Sequence, residues 1–320
     1  MDSIISVRGL TKYFPVKAGI TRRTIGWVKA VDGIDFDIEE GKTYSLIGES
    51  GCGKTTTARL ILLLYELTSG SILFRGKNIL ATDKETVREY RRSVQAIFQD
   101  PFSSLEPKMR VGTIIAEPLL QNKNCNRSEA KERIDEVLAT VRLPGCSRNF
   151  PHEFSGGERQ RIALARALIS NPKAIMLDEP VSALDVSVRA QIMNHLKEVQ
   201  DKFGLAYLLI AHNLATVRYM TDNMGVMYLG KIVETGPGEE LFQHPFHPYT
   251  QALLKASLPF DPDSRDRVVP LPGEVPSPLN VPPGCAFHQR CYKARSSCLE
   301  ERPVLQEVAS GHWVACPYVD

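Results

Sequence analysis

The sequence predicts an α/β fold built on a largely parallel sheet, and three observations carry that prediction. Short apolar runs alternate with amphipathic helical stretches through most of the chain. The first forty-odd residues instead alternate apolar and polar positions. One apolar strand also runs through a glycine-rich turn straight into a helix. Strands separated by helices are joined by crossovers and so lie parallel, whereas alternating residues mark half-buried antiparallel strands.

In chain order, "SIISVRGL" and "VKAVDGIDFDI" predict an N-terminal antiparallel β subdomain. The strand "TYSLIG" follows, then a turn and a helix starting near Lys54. Residues 127–141 place Ala130, Ile134, Val137, Leu138 and Val141 on one helical face, within an inserted α-helical subdomain at about 100–170. "AIMLD" reads as a short buried strand. A helix from about Val186 to Phe203 turns Ile192, Leu196 and Val199 inward, and "AYLLIA" is a further strand. Prolines become dense from Pro259 onward, which predicts an extended linker ahead of a small cysteine-bearing tail. The expected division is therefore 1–258 for the main domain and 259–320 for the linker and Cys-rich C-terminal extension.

Composition bounds the function. A chain of 320 residues with formal net charge +2 has no electrostatic footprint for nucleic acid, and the basic stretch Thr21–Lys29 reads as a solvated loop. The start lacks the apolar core of a signal peptide. The longest apolar runs, Leu60–Leu67 and Gly204–Ala211, fall short of the roughly 20 residues that span a bilayer. A cytosolic chain that reaches a membrane only through a partner is the expectation. Of seven cysteines, Cys52, Cys125 and Cys146 are scattered, and Cys285, Cys291, Cys298 and Cys316 cluster in the tail. Disulfides are not expected in a reducing compartment.

"GESGCGKTT" (Gly48–Thr56) fits G-x-x-x-x-G-K-[ST] and lies between a strand and a helix, which makes it a P-loop. Gly48, Ser50, Gly51, Cys52 and Gly53 give a backbone whose N–H groups can turn inward on phosphates. The helix start adds positive potential, Lys54 reaches the β- and γ-phosphates, Thr55 offers its hydroxyl to Mg²⁺, and Thr56 is expected to bind the nucleotide with them. Cys52 reads simply as a small residue in the loop. Downstream, "AIMLDEP" ends a strand in two carboxylates. Asp178 is expected to serve Mg²⁺, directly or through water. Glu179 is the expected general base toward the attacking water, a role worth roughly 10²–10⁴ in rate.

"FPHEFSGGERQR" (Phe150–Arg161) raises a separate question. Ser155 and Glu158 form a capping box, which would explain a helix start and nothing more. A capping box does not require Gly156 and Gly157. Bared amides there would make a second anion site, redundant on one chain unless it serves another chain's nucleotide.

The P-loop, "SGGERQR" before "LDEP", "SALD", and a histidine after an apolar strand together resemble the ATP-binding cassette (ABC) ATPases over nearly all of residues 1–258. The resemblance implies a P-loop NTPase core of ABC type that binds and hydrolyses ATP with Mg²⁺. It implies a head-to-tail dimer with ATP between the P-loop of one subunit and Ser155–Gly157 of the other. By position, it makes Gln99 the loop glutamine that senses Mg²⁺ or water and meets the membrane partner. It puts Asp185 across the dimer seam and His212 at the γ-phosphate and its water. Phe14, with Tyr13 beside it, should stack on adenine. The chain departs from the family pattern in "FSGGE" for "LSGGQ" and in Asn213 where aspartate is usual, and neither change removes a needed group.

"IFQDPFSSLEP", "VMYLGKIVETG" and "PFHPYTQALLKA" are similar to the ATPase subunits of oligopeptide/dipeptide permeases, over essentially the full chain and nearest the F-type member. Glu106 stands where that branch usually has asparagine. A D-type paralogue as dimer partner, two transmembrane permease subunits and an extracytoplasmic substrate-binding protein are implied, at the cytoplasmic face of the membrane. The same branch imports nickel, glutathione or oligosaccharides. A soluble cassette acting on ribosomes or DNA is the competing class. DNA-acting relatives carry long coiled-coil insertions, while Lys54 to Ser155 spans 155 − 54 = 101 positions here without a heptad run. In the tail, some members of the family carry a 4Fe–4S cluster, and four cysteinates suit one. Zinc, with His288 or His312 as further ligands, and free thiols remain open.

Overall fold

The computed structural model describes residues 3–18, 23–99, 105–120, 127–182, 184–257 and 273–319. The alternating N-terminus forms two long antiparallel strands, β1 (Ser3–Ala18) and β2 (Arg23–Glu39). With β4 (Ser69–Phe74) and β5 (Lys77–Asn78) they build a four-stranded sheet of order β2-β1-β4-β5.

The main sheet has eight strands in the order β11-β12-β10-β9-β3-β8-β7-β6. Five are parallel neighbours: β9 (Asn223–Tyr228), β3 (Thr43–Ile47), β8 (Ala206–Ile210), β7 (Ala174–Asp178) and β6 (Val94–Ile97). Alternation along them divides the core in two. Ile175, Leu177, Tyr207 and Leu209 join a cluster with the helices, while Ala174, Met176, Leu208 and Ile210 join one shared with the small sheet. Helix α1 (Lys54–Ile61) contributes Ala58, Leu60 and Ile61 to the second cluster, so it lies between the two sheets.

Helix α2 (Lys84–Ser93) leads into β6 and is capped by Asp83, which accepts from the N–H groups of Glu85 and Thr86. Helices α3 (Val111–Leu120), α4 (Arg127–Thr140) and α5 (Gly156–Leu168) pack on one another. The predicted face of α4 is the packed one: Ala130, Ile134, Leu138 and the following Val141 are buried, and Val137 is partly so. Helix α6 spans Val186–Phe203 with Ile192, Leu196 and Val199 buried, as the spacing predicts. Helices α7 (Leu214–Met220), α8 (Gly238–Gln243) and α9 (Pro248–Ser257) follow.

The sheet is parallel only in part. Strand β10 (Lys231–Pro237) pairs antiparallel with β9, and the tail supplies β12 (His312–Val314) and β11 (Gln306–Ala309) beyond it. The tail is thus an edge of the main sheet. Its anchor is Glu234, fully buried on β10, whose carboxylate accepts from the backbone N–H groups of Phe246 and His247 and lies 2.8 Å from His312 Nε2. A buried carboxylate with three partners is satisfied; removing any one leaves an uncompensated group. The proline-rich linker of the sequence reading falls largely in 258–272, outside the described residues.

Candidate functional site

Parallel strands end on one side, and the parallel register brings four ends together. Leu46 pairs with Ile210, Asp178 with Ile210, and Ile97 with Leu177. The segments that follow, carrying Gly48–Thr56, Asp178–Glu179, Gln99 and His212, therefore emerge at one edge of the sheet. That edge is where open α/β sheets bind ligands.

The loop glycines are demanded by shape. A Cβ on Gly48 (φ +148°) would sit 2.3 Å from the Met227 carbonyl oxygen, and one on Gly53 (φ +115°) 2.2 Å from the Ala30 carbonyl oxygen. Gly51 is also left-handed, at φ +80°. Cys52 is buried beneath the loop, and burial pushes its thiol pKa up. Lys54 is the first helical residue and is buried. Its Nζ donates to the carbonyl oxygens of Gly48 at 2.8 Å and Glu49 at 3.0 Å, so the ammonium lies along its own loop.

Thr55 Oγ1 donates to Asp178 Oδ1 at 3.3 Å. Burial, and secondarily the charge of Glu179, raises the Asp178 pKa, as befits a carboxylate short of a cation. Glu179 leaves the strand by adopting φ 51°, a region side chains rarely enter. Leu63, Arg75, Arg142, Asn171 and Leu229 share that left-handed backbone, so the conformation alone marks no site. What sets Glu179 apart is that its Oε1 lies 2.9 Å from His212 Nδ1. Its Oε2 is buried and makes no hydrogen bond among the described residues. Glu179, His212 and Arg189 line a cavity of about 40 Å³, and Arg189 Nε is likewise buried without a partner. That volume holds a water molecule, and the two unpaired groups are what such a water needs. Gln99 is exposed two residues past β6.

Ser155 caps α5 as its spacing predicts. Glu158 N–H donates to Ser155 Oγ, and Ser155 N–H donates to Glu158 Oε2 at 2.9 Å. Gly156 and Gly157 have a packing reason that the sequence did not disclose. A Cβ on Gly157 would meet Val188 Cγ1 at 2.5 Å, and one on Gly156 would meet Leu184 Cδ2 at 3.2 Å. Asp185 precedes α6, exposed, without a side-chain capping bond. No hydrogen bond or ion pair among the described residues joins Ser155–Gly157 or Asp185 to the P-loop. Phe14 meets Tyr65 edge-on at 5.5 Å, with Lys12 Nζ 5.1 Å from its ring centre. Tyr13 on the opposite face holds Asp32 through its hydroxyl.

In the tail, Cys285, Cys291, Cys298 and Cys316 are unpaired thiols lining one cavity of about 250 Å³ with His288. Burial raises the pKa of Cys285, Cys291 and Cys316, and the neighbouring thiols add to it. Among the described residues no three His, Cys, Asp or Glu side chains converge to hold a single metal ion. His312 is not available to such a site, because its ring is taken by Glu234. Cys125 lies outside the described residues. Sequence reasoning also missed Glu49 and Arg290, which pair across distant segments, and Arg189, which shares the small cavity with Glu179 and His212.

A strand–glycine loop–helix turn, a buried lysine and two carboxylates at the ends of parallel strands define a P-loop ATPase core. Comparison with known proteins narrows the class. Residues 31–182 match the ABC transporter family, and residues 233–298 match the family of the oligopeptide/dipeptide transporter C-terminal region. The oligopeptide transport ATP-binding protein AppF of Bacillus subtilis is 47% identical, over 98% of this chain and 97% of its own. The dipeptide transport ATP-binding protein DppF of Haemophilus influenzae is 44% identical over 99% and 97%. Among solved structures, cbiO1 of Clostridium perfringens, part of the ABC transporter complex cbiONQ, is 27% identical with TM-score 0.65. It covers 76% of this chain and 92% of its own. The ATP-binding cassette MJ0796, a dimer bound to ADP and Pi, is 25% identical with TM-score 0.63 over 73% and 98%. The chain belongs to the ABC transporter ATPases, in the branch of the oligopeptide/dipeptide transport ATP-binding proteins.

Proposed function

We propose that this chain hydrolyses ATP to drive import of di- and oligopeptides, working at the cytoplasmic membrane face with two permease subunits, an extracytoplasmic binding protein and a D-type paralogue. The single observation that carries the hydrolytic reading is Glu179, held by His212 through one oxygen and left with the other buried and unpartnered. Glu179 Oε2 takes the proton of the attacking water, and His212 fixes the carboxylate and reaches the terminal phosphate. Lys54 leaves its loop carbonyls for the β- and γ-phosphates. Thr55 and Asp178, with Gln99, would hold Mg²⁺, which would neutralise phosphate charge when bound. Phe14 stacks on adenine.

Ser155, Gly156, Gly157 and Asp185 serve a second chain's nucleotide. What supports this is that they lie on α5 and before α6 with no bonded link to their own P-loop among the described residues, and that the related MJ0796 cassette is a dimer. Residues 1–258 form the ATPase and 259–320 the extension. Among the described residues no helix is long and apolar enough to cross a membrane, which supports attachment through partners.

For the four tail thiols we propose an iron–sulfur cluster of 4Fe–4S type. A zinc ion draws four sulfurs to about 2.3 Å from one point, and among the described residues no three such ligands converge in that way. A cavity of about 250 Å³ ringed by four thiols suits a larger group. The cluster holds the tail together, and no step of hydrolysis passes through it.

Peptide cargo rests on the relatives' names and tests simply. Cells lacking this chain should lose uptake of labelled dipeptide, and the parent chain but not Glu179→Gln should restore it. Restored uptake of nickel or glutathione alone would reject peptide cargo.

A further inference from the structure

One ion pair joins the tail to the phosphate loop across 241 positions of sequence. The Arg290 guanidinium, almost fully buried, grips the Glu49 carboxylate with both forks, Nη1 to Oε2 at 2.7 Å and Nη2 to Oε1 at 3.0 Å. Glu49 is the second residue of the P-loop. Its backbone N–H donates to the buried Tyr249 hydroxyl at 2.8 Å, and its carbonyl oxygen accepts from Lys54 at 3.0 Å. A single loop residue is thus held at its side chain by the tail and at its N–H by α9, while its carbonyl holds the lysine of the phosphate site.

Arg290 is itself fixed. It ends the short helical turn His288–Arg290, immediately before Cys291, and its guanidinium lies about 6 Å from the ring centres of Tyr228 and Phe287. Those two rings pack edge to face, and Phe287 also packs on Tyr249. A bidentate arginine–carboxylate pair in such surroundings is directional, and lysine does not replace it.

We propose that Arg290 is a positioning residue of the nucleotide site, holding the P-loop in its phosphate-binding shape through Glu49, so that the cysteine-bearing tail and the bound nucleotide stabilise each other. The inference rests on the P-loop being the nucleotide site. The reciprocity follows from linkage: whatever the tail adds to nucleotide affinity, nucleotide adds to the order of the tail.

The test uses the full-length chain and a fluorescent, slowly hydrolysed ATP analogue with Mg²⁺. Arg290→Ala and Glu49→Ala should each weaken binding, and the double variant should bind no more weakly than either alone, since contacting partners couple by roughly tenfold. Arg290→Lys should recover only part of the loss. Hydrogen exchange at residues 285–291 should slow on adding the analogue to the parent and stay unchanged in Glu49→Ala. Additive losses, or unaltered exchange in the parent, would overturn the proposal. If Arg290→Ala fails to fold, Glu49→Ala decides alone: normal affinity there overturns it. Lys54→Ala is the control, and a variant that still binds the analogue indicts the P-loop assignment, not the tail.

Discussion

His212 and Glu179 come from the ends of two adjacent parallel strands and meet at 2.9 Å, Nδ1 to Oε1. The pairing aims the carboxylate and occupies one oxygen, so under the proposed mechanism proton abstraction falls to the buried Oε2. Glu179→Gln keeps the shape and removes the proposed base. Hydrolysis should fall by about two to four orders of magnitude while ATP binding persists, so the variant should accumulate as an ATP-bound dimer. Gel filtration with and without Mg-ATP, alongside phosphate release, checks both halves. A variant that stays monomeric with ATP would count against the shared site.

How much of this was legible in the sequence follows from which contacts are local. The P-loop, Asp178–Glu179 and the capping box at Ser155 are short runs whose geometry follows from a strand end or helix start, and they could be read directly. The parallel register that brings Gln99, Asp178 and His212 to one edge followed from strand–helix alternation. Gly157 was read as baring amides, yet its neighbour is Val188, 31 positions away in sequence (188 − 157). Arg290 on Glu49 and the tail strands beside β10 left no trace in any local pattern. Prolines made the tail look detached, when its short strands need only a few pairings to an existing sheet edge.

The close approach of α5 and α6 makes Gly157 a structural position as well as part of the motif. Gly157→Ala places a methyl 2.5 Å from Val188 Cγ1, and overpacking of this kind costs about 1–3 kcal/mol. Val188→Ala removes that methyl's obstacle, so the double variant should recover most of the loss in urea unfolding. Should the double variant regain stability but not hydrolysis, the glycine serves the nucleotide of the facing subunit as well.

Acid sensitivity is expected from His247. The ring is buried against Phe287, near Cys285, and the residue's backbone N–H donates to the Glu234 carboxylate, which His312 also faces. Its Nδ1 accepts from the Tyr249 N–H at 3.1 Å. Burial lowers its pKa to about 4, against about 6.5 in the unfolded chain. The native state therefore keeps a neutral ring while the unfolded state takes up a proton. Stability falls as pH drops from 6.5 toward 4, by up to about 3 kcal/mol from this residue, and the loss stops below that window. His247→Asn retains an acceptor for Tyr249 and should flatten the dependence. Unfolding free energies at pH 7.5 and 5.0 compare the two, and equal slopes would reject the assignment.

The tail thiols distinguish a cluster from a single ion without any assay of hydrolysis. The four thiols line a cavity of about 250 Å³, and burial, with the charge that neighbouring thiolates would carry, pushes the pKa of Cys285, Cys291 and Cys316 up, which favours the neutral thiol. A bound cationic group reverses that balance and holds them as thiolates. Protein purified without oxygen should be brown and contain iron and acid-labile sulfide in roughly equal amounts, about four of each per chain. Cys298→Ser should lose the colour and most of the iron, and it should unfold at a lower temperature because the tail is an edge of the main sheet. A colourless parent that contains zinc would reject the cluster, and a metal-free parent as stable as any other preparation would leave four half-buried thiols that need no partner.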